Sequence, residues 1–167
     1  LTRSGTLAGT PQYMSPEQAR AESVDHRSDL FSLGSVLYAM CTGHAPFRAE
    51  SSYGVLRLIT DKEPRPIREI NPDVPEWLCS FINKLMAKQT SDRFESAEEV
   101  AALLERCLAH VQKPTTNELP SQLAVPQNLS LLNVNAISRT YKQMKLSRLI
   151  ISLLVTTILF LVFVVIQ

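Results

Sequence analysis

Apolar side chains in the first 110 residues recur with the 3.6-residue period of α-helices. The clearest helix is predicted over residues 75–88, where five apolar positions share one face: Leu78, Phe81, Ile82, Leu85 and Met86. A second helix with the same spacing is predicted around Val100, Leu103, Leu104, Cys107 and Leu108. A shorter helix is predicted over residues 53–60, and no segment before residue 110 alternates as a strand would. The pattern therefore predicts a mainly α fold.

Residues 29–42 show a different pattern, because apolar side chains occur on nearly every side of the predicted helix. Ser28 is the candidate N-cap of this helix, and Gly43 is its candidate end. A helix that is apolar all round is a buried one, so we expect it at the centre of the fold. The segment from Pro64 to Pro75 contains four prolines and is predicted to be neither helix nor inner strand.

The longest apolar run covers residues 149–166, which are 18 positions without a charge, a proline or a glycine. As a helix this run would be roughly 27 Å long, just under a bilayer core of about 30 Å. We therefore predict a transmembrane helix over residues 147–167. A buried core helix or strand pair is the alternative, and it is disfavoured because a core helix rarely lacks a polar face over this length. Residues 113–146, with scattered prolines and polar side chains, are predicted to be a juxtamembrane linker.

The net charge of +1 hides an uneven distribution of charge along the chain. Residues 119–167 contain no Asp or Glu and have four basic residues: Arg139, Lys142, Lys145 and Arg148. A basic cluster beside a membrane-length apolar run favours an anionic lipid surface over nucleic acid. Because the basic residues all precede the run, the positive-inside rule places the preceding domain in the cytoplasm. The three cysteines are too scattered for a disulfide framework or a metal site: Cys41, Cys79 and Cys107.

Four short motifs follow one another along the chain. Gly9–Glu17 reads GTPQYMSPE, Asp25–Gly34 reads DHRSDLFSLG, Gly43–Phe47 reads GHAPF, and Ser91–Phe94 reads SDRF. In this order and spacing they resemble the C-terminal lobe of serine/threonine protein kinases. The resemblance is greatest to the bacterial membrane-anchored kinases of eukaryotic type, and it covers about residues 1–110. It implies that the helical domain is a partial kinase C-terminal lobe that begins at the activation segment.

For the first motif, the resemblance implies a substrate-docking role. Thr10 resembles the threonine that helps to orient the catalytic Asp and points to Ser or Thr substrates; a simple turn cap is the alternative. The next four residues would form the shelf beneath the substrate residue that follows the phosphoacceptor: Pro11, Gln12, Tyr13 and Met14. Three residues lie where kinases of this family are phosphorylated, although such residues are also ordinary in polar loops: Thr2, Ser4 and Thr6.

The resemblance also implies structural roles for three charged residues. Glu17 is expected to form a buried ion pair with Arg93 and so to tie the docking loop to the lobe. Asp29 resembles the aspartate that accepts hydrogen bonds from the backbone of the catalytic loop; a plain helix cap is the alternative. His26 begins a sequence that looks like the H-R-D of a catalytic loop but has an inserted serine, so we interpret His26 as a surface residue.

The residues that perform phosphoryl transfer are absent from the 167 residues. A kinase needs a glycine-rich loop, a phosphate-binding Lys, a catalytic Asp, and an Asn and second Asp that hold magnesium, and none of these motifs occurs. ATP and Mg²⁺ are therefore expected to serve the parent kinase and to be bound by no residue of this chain. We expect the isolated chain to be inactive.

Three hypotheses follow. The favoured one is a membrane-bound Ser/Thr protein kinase in signalling, of which residues 1–112 are the C-terminal lobe, acting on protein substrates at the inner or plasma membrane. A non-catalytic, membrane-tethered kinase-like interaction module is the alternative, and an unrelated helical membrane protein with chance motifs is the third. Nucleic acid is not an expected partner, and dimerisation stays open.

Overall fold

The computed structural model of the protein describes residues 11–123, which form six α-helices and two 3-10 turns and contain no strand. The helices are α1 (Pro16–Ala19), α2 (Arg27–Thr42), α3 (Ser52–Asp61), α4 (Ile67–Ile70), α5 (Glu76–Leu85) and α6 (Ala97–Gln112). The 3-10 turns are Pro11–Tyr13 and Thr90–Asp92. The mainly α prediction is thus confirmed for the described residues. One compact unit ends at Ser96, and the second begins at Ala97.

Helix α2 begins earlier than the sequence pattern predicts. Its N-cap is His26, which makes no side-chain capping bond, so the prediction of a Ser28 cap is wrong. Ser28 lies inside the first turn, and its hydroxyl donates to Oε1 of Glu17. The predicted end is correct: Gly43 adopts φ 82°, in the left-handed region, and its amide donates to the carbonyl of Ala39 at 2.8 Å.

The expectation that α2 is buried on every side is only partly met. Phe31, Leu37 and Tyr38 are almost fully buried, but Val36 is 38% exposed and Met40 is 48% exposed. The two exposed residues are four positions apart and therefore lie on one face of the helix. An apolar strip on α2 is thus open to solvent.

On a buried side of α2, the backbone at Gly34 is in close contact with α5. A Cβ atom at this position would lie 2.7 Å from Cγ of Met86 and 2.8 Å from Cβ of Leu85. These separations are too short for carbon atoms, and Leu85 is fully buried and cannot easily move. Gly34 is therefore required for α2 and α5 to pack at their present distance.

Replacing Gly34 should destabilise the unit that ends at Ser96. In Gly34→Ala the clash costs about 1 to 3 kcal/mol, of which the better helix propensity of Ala recovers up to about 1 kcal/mol. Urea unfolding followed by the fluorescence of Trp77, the sole tryptophan, measures the difference. Val36→Ala on the exposed face is the control and should change stability by less than about 0.5 kcal/mol. A Gly34→Ala variant more stable than the parent would contradict this account of the packing.

The shorter helices agree with most of the sequence pattern. Helix α5 buries four residues of the predicted face, namely Leu78, Phe81, Ile82 and Leu85. The fifth, Met86, is the C-cap and is also buried, whereas Trp77 is a buried residue that the pattern did not include. Helix α3 covers the predicted segment and is capped by Ser51, whose hydroxyl accepts from the amide of Gly54 at 3.1 Å.

The proline-rich segment contains one helical turn, α4, which corrects the prediction of no helix there. That turn starts after Pro66, where a proline does not interrupt helical hydrogen bonds, and it buries Ile67.

Helix α6 begins the second compact unit. One face is buried, as predicted, through Val100, Leu103, Leu104 and Cys107. Its last turn is closed by Asn117, whose amide nitrogen donates to the carbonyl of Ala109 at 3.1 Å. Residues 113–123, the start of the predicted linker, form turns and no helix.

The predicted transmembrane segment lies outside the described residues. Among the helices of residues 11–123, none is both long and apolar enough to cross a bilayer. The rest of the predicted linker, the predicted phosphorylation sites Thr2, Ser4 and Thr6, and Thr10 also lie outside the described part.

Candidate functional site

Residues 11–17, here called the docking segment, consist of a 3-10 turn followed by the first turn of α1. The amide of Met14 donates to the carbonyl of Pro11 at 3.2 Å and closes the 3-10 turn. The side chains of the four shelf residues, Pro11 to Met14, are half-buried, whereas Ser15, Pro16 and Glu17 are buried. The segment is thus held at its C-terminal end and is partly accessible at the shelf.

A capping box starts α1 and was not noticed in the sequence. The hydroxyl of Ser15 accepts from the amide of Gln18 at 3.4 Å, and the Gln18 side chain accepts from the amide of Ser15 at 2.9 Å. Pro16 occupies the first helical position, where a proline is favourable. The serine followed three residues later by Gln is the known signature of this motif, so the sequence contained the signal. The capping box gives a physical role to Ser15.

The far end of α1 is closed by two further backbone bonds. The amide of Ala21 donates to the carbonyl of Gln18 at 3.1 Å, and the amide of Glu22 donates to the carbonyl of Glu17 at 2.9 Å. This is the Schellman arrangement, and it places Ala21 at φ 54°. Glu17 is therefore fixed by its backbone as well as by its side chain.

Glu17 and Arg93 form a buried, two-pronged ion pair. Nη1 of Arg93 lies 2.7 Å from Oε1 of Glu17, and Nη2 lies 2.8 Å from Oε2. The Arg93 side chain is 0% exposed and that of Glu17 is 6% exposed. The two residues are 76 positions apart, so the pair joins the docking segment to the turn before α6. The ion pair that the kinase resemblance implied is present.

Arg93 uses all of its hydrogen-bond donors. Nε donates to the carbonyl of Ala87 at 2.8 Å, Nη1 also donates to the carbonyl of Arg27 at 2.9 Å, and Nη2 to that of Lys88 at 3.3 Å. With the two bonds to Glu17 this accounts for the five N–H groups of a guanidinium. The guanidinium also lies 5.1 Å from the centre of the Phe31 ring. A lysine could not reproduce this set of contacts.

The environment of Glu17 keeps its carboxylate charged. Burial alone would raise its pKa, but hydrogen bonds from Arg93, Ser28 and Ser15 and from its own amide outweigh this and lower the pKa from 4.5 to about 2. The buried charge of Arg93 is therefore compensated at every pH above that value.

Two serines of α2 contact the docking segment directly. The hydroxyl of Ser28 donates to Oε1 of Glu17, and the hydroxyl of Ser32 donates to the carbonyl of Tyr13 at 2.8 Å. The sequence reading assigned Ser28 to a helix cap and gave no role to Ser32. Their four-residue spacing, which places them on one helix face, was the available signal. What they face becomes known only from the tertiary structure.

Asp29 and His26 lie near this site but not in it. The carboxylate of Asp29 is exposed and bonds to no other described residue, and because His26 is the N-cap of α2, the alternative of Asp29 as a cap is wrong. The proposed partner of Asp29, a catalytic loop, is not in this sequence, so that role stays a prediction. His26 is exposed, and its Nε2 lies 2.7 Å from the carbonyl of Glu95.

Lys88 is a further polar residue that sequence reasoning missed. Its Nζ donates to the carbonyl of Ile59 at 2.7 Å, in the last turn of α3, and lies 4.3 Å from the centre of the Phe47 ring. Burial is the main reason that its pKa is lowered from 10.5 to about 8. Because its own carbonyl accepts from Arg93, Lys88 connects α3 and the Gly43–Phe47 motif to the ion pair.

The described residues around the ion pair contain neither a cluster of metal-ligating side chains nor a nucleotide-binding motif. Within residues 11–123, no three His, Cys, Asp or Glu side chains converge as a bound metal ion would require. The glycine-rich loop, Lys, Asp and Asn that hold ATP and magnesium in a kinase have no counterpart in the sequence. The described residues of the site define a supported, partly open backbone segment on a helical scaffold.

Comparison with known proteins identifies the family. The protein kinase domain matches residues 2–109, more than half of the 167 residues. The chain therefore belongs to the protein kinase family, and the resemblance to the C-terminal lobe is confirmed.

Three curated relatives illustrate the match. A probable serine/threonine-protein kinase of Corynebacterium efficiens is 37% identical over 143 residues, covering 78% of this chain and 21% of the relative. PknB of Mycolicibacterium smegmatis, a serine/threonine-protein kinase, is 36% identical and covers 79% of this chain and 20% of the relative. MasK of Myxococcus xanthus, a tyrosine-protein kinase, is 43% identical over 108 residues, and this match covers 65% of this chain and 17% of the relative. The chain spans about a fifth of the length of these relatives.

Proposed function

We propose that this chain is the substrate-docking part of a Ser/Thr protein kinase that transfers the γ-phosphoryl group of ATP to proteins. The observation that carries the proposal is the buried Glu17–Arg93 pair, which holds the motif of the docking segment in a chain of the kinase family. The helices supply the rigid support, and the shelf residues supply the partly open surface. Relatives named as serine/threonine-protein kinases support the reaction class.

The proposed role of the docking segment is to position the acceptor region of a substrate protein. Its backbone is fixed by the ion pair, the capping box and the bond from Ser32 to Tyr13, so the shelf needs little ordering when a substrate binds. In this proposal Thr10 orients the catalytic Asp and makes the enzyme act on Ser or Thr. The likeness to a relative named as a tyrosine-protein kinase makes the identity of the acceptor residue a necessary measurement.

ATP and Mg²⁺ have to be held by residues outside this chain. When bound, they supply the transferable phosphoryl group and the charge that stabilises its transfer. The contribution of this chain is the substrate side: the shelf, the proposed regulatory residues Thr2, Ser4 and Thr6, and the scaffold beneath them. A phosphate on one of these three residues would order the segment by pairing with basic side chains.

Phosphoryl transfer gives the direct test. The full-length product of the gene that contains this chain, with ATP and Mg²⁺, should incorporate phosphate into serine or threonine of a protein substrate, as shown by phosphoamino-acid analysis. Residues 1–167 alone should incorporate none, because the catalytic motifs are missing from them. Phosphate transfer by residues 1–167, or only phosphotyrosine from the full-length protein, would contradict the proposal.

The proposed location is a membrane, with the kinase domain in the cytoplasm. Support comes from the 18-residue apolar run at 149–166 and from the basic residues that precede it. The full-length protein should stay with the membrane fraction after alkaline carbonate washing, and deletion of residues 147–167 should release it. Release of the intact protein by the wash would contradict the transmembrane assignment.

A second candidate is a membrane-tethered, non-catalytic interaction module. The observation that favours it is the intact scaffold of the docking segment in a sequence without catalytic motifs. The coding sequence upstream of Leu1 separates the two candidates. An open frame that encodes H-R-D, Asn and D-F-G in order supports the kinase, and a start codon close to Leu1 supports the module.

A further inference from the structure

Two hydroxyls on the first turns of α2 contact the docking segment at points four residues apart. Ser32 meets the carbonyl of Tyr13, and Ser28 meets the carboxylate of Glu17. Ser28 and Ser32 are four residues apart on the helix, and their partners Glu17 and Tyr13 are four residues apart on the segment. The two chains run in opposite directions here, because the later serine contacts the earlier residue of the segment. The segment therefore has a defined register on α2.

The two serines bind different parts of the docking segment: Ser28 binds the carboxylate of Glu17, and Ser32 binds the backbone of Tyr13. Ser28 is buried, and its partner Glu17 is already fixed by Arg93, so Ser28 adds a third hydrogen bond to an existing ion pair. Ser32 is half-buried and is bonded at 2.8 Å to the backbone of the shelf itself, away from the ion pair. Loss of Ser28 would therefore weaken the anchor, whereas loss of Ser32 would free the shelf while the anchor stays intact.

We propose that Ser32 is a positioning residue that sets the place of the shelf and thereby the preference for the substrate residue that follows the phosphoacceptor. This inference rests on the proposed kinase function. Tyr13 lies in the middle of the shelf, between Gln12 and Met14, so movement of its carbonyl moves the backbone on both sides. How well the side chain of this substrate residue fits on the shelf depends on the position of the shelf backbone. The hydrogen bond of Ser32 goes to the backbone of Tyr13, so its proposed effect on the substrate is exerted through Tyr13.

The chain offers a matched control on the same helix. Ser35 is fully buried, and its hydroxyl has no hydrogen-bond partner in the part of the chain that the structure describes. Ser35→Ala thus makes the same chemical change as Ser32→Ala, three residues away, without removing a bond to the docking segment. Ser32→Thr keeps a hydroxyl at this position and should therefore preserve the hydrogen bond to the carbonyl of Tyr13.

The first measurement is hydrogen exchange of the 167-residue chain. The amide of Met14 donates to Pro11 within the docking segment, and the amide of Ser15 donates to the side chain of Gln18 just beyond it, so both amides report the order of the segment. Ser32→Ala should speed their exchange about fivefold, as expected for loss of one neutral hydrogen bond, whereas Ser35→Ala and Ser32→Thr should not. Unchanged exchange in Ser32→Ala, or equal acceleration in Ser35→Ala, would overturn the assignment of Ser32 as the residue that holds the shelf.

The second measurement uses the full-length kinase and two peptides that differ only in the residue after the acceptor serine, leucine in one and glycine in the other. Ser32→Ala should raise KM for the preferred peptide, leave kcat nearly unchanged and reduce the ratio of the two kcat/KM values about fivefold. Ser32→Thr should restore the ratio, and Ser35→Ala should not change it. An active kinase whose ratio is unchanged by Ser32→Ala would overturn this inference alone. A full-length protein that phosphorylates no peptide would overturn the proposed function and this inference with it.

Discussion

Glu17→Gln is expected to destabilise the unit that ends at Ser96 by about 3 to 5 kcal/mol, because it leaves the charge of Arg93 buried and uncompensated. Gln has the shape of Glu, so the loss reflects charge and hydrogen bonding and not a cavity. Both partners are nearly inaccessible to solvent, and water cannot replace the missing carboxylate. Arg93→Lys should also be strongly destabilising, since a lysine cannot donate five bonds to the groups that surround Arg93.

Urea unfolding followed by Trp77 fluorescence measures this effect, and an exposed ion pair supplies the control. Nε of Arg65 lies 3.1 Å from Oε2 of Glu69, and both side chains are more than half exposed. Glu69→Gln should therefore cost less than about 1 kcal/mol. The double variant Glu17→Gln, Arg93→Met should be less destabilised than the sum of its single changes, because neither charge is left unpaired. A Glu17→Gln protein within about 1 kcal/mol of the parent would show that the pair does not hold the docking segment.

Acid should remove the same contribution without any mutation. The pKa of Glu17 is about 2 in the folded protein and 4.5 as its ordinary value. A carboxyl group whose pKa is lowered by folding stabilises the fold fully above its ordinary pKa and loses this effect as the pH falls through the folded value. Between pH 4.5 and pH 2 the free energy of unfolding should therefore fall by about 3 kcal/mol on account of Glu17.

The difference between variants isolates the part due to Glu17. Other carboxyls also lose stabilising contacts in acid; for example, the pKa of Asp25 is lowered by its hydrogen bond from Arg27. Those groups titrate in Glu17→Gln as they do in the parent. The stability curves of the two proteins should therefore converge below pH 4.5. A constant gap between the parent and Glu17→Gln down to pH 2 would contradict the lowered pKa.

Much of the local structure was readable from the sequence. The helical faces of α5 and α6, the end of α2 at Gly43 and the pairing of Glu17 with Arg93 all agree with the structure. The first two follow from periodicity, and the third from the freedom of glycine to adopt a left-handed conformation. The pairing came from resemblance to kinases, because no local pattern connects residues 76 positions apart.

The predictions were wrong where one local pattern is compatible with more than one structure. Serine at the start of a helix often caps it, yet Ser28 lies inside the first turn of α2, where its hydroxyl donates to Glu17. Prolines at 64–75 suggested no helix, but a proline just before a helical turn is tolerated, and α4 follows Pro66. Apolar side chains around α2 suggested complete burial, but Val36 and Met40 face solvent.

The sequence by itself determined the longer helices apart from the start of α2, the family motifs and the lack of catalytic motifs in the 167 residues, since these depend on residue type and on spacing along the chain. Only the tertiary structure decided which polar groups meet: the five partners of the Arg93 guanidinium, Ser28 at Glu17, Ser32 at Tyr13 and Lys88 at Ile59. A hydrogen bond forms only within about 3 Å and in the right direction. Such positions follow from how the helices pack, which one-dimensional spacing does not contain.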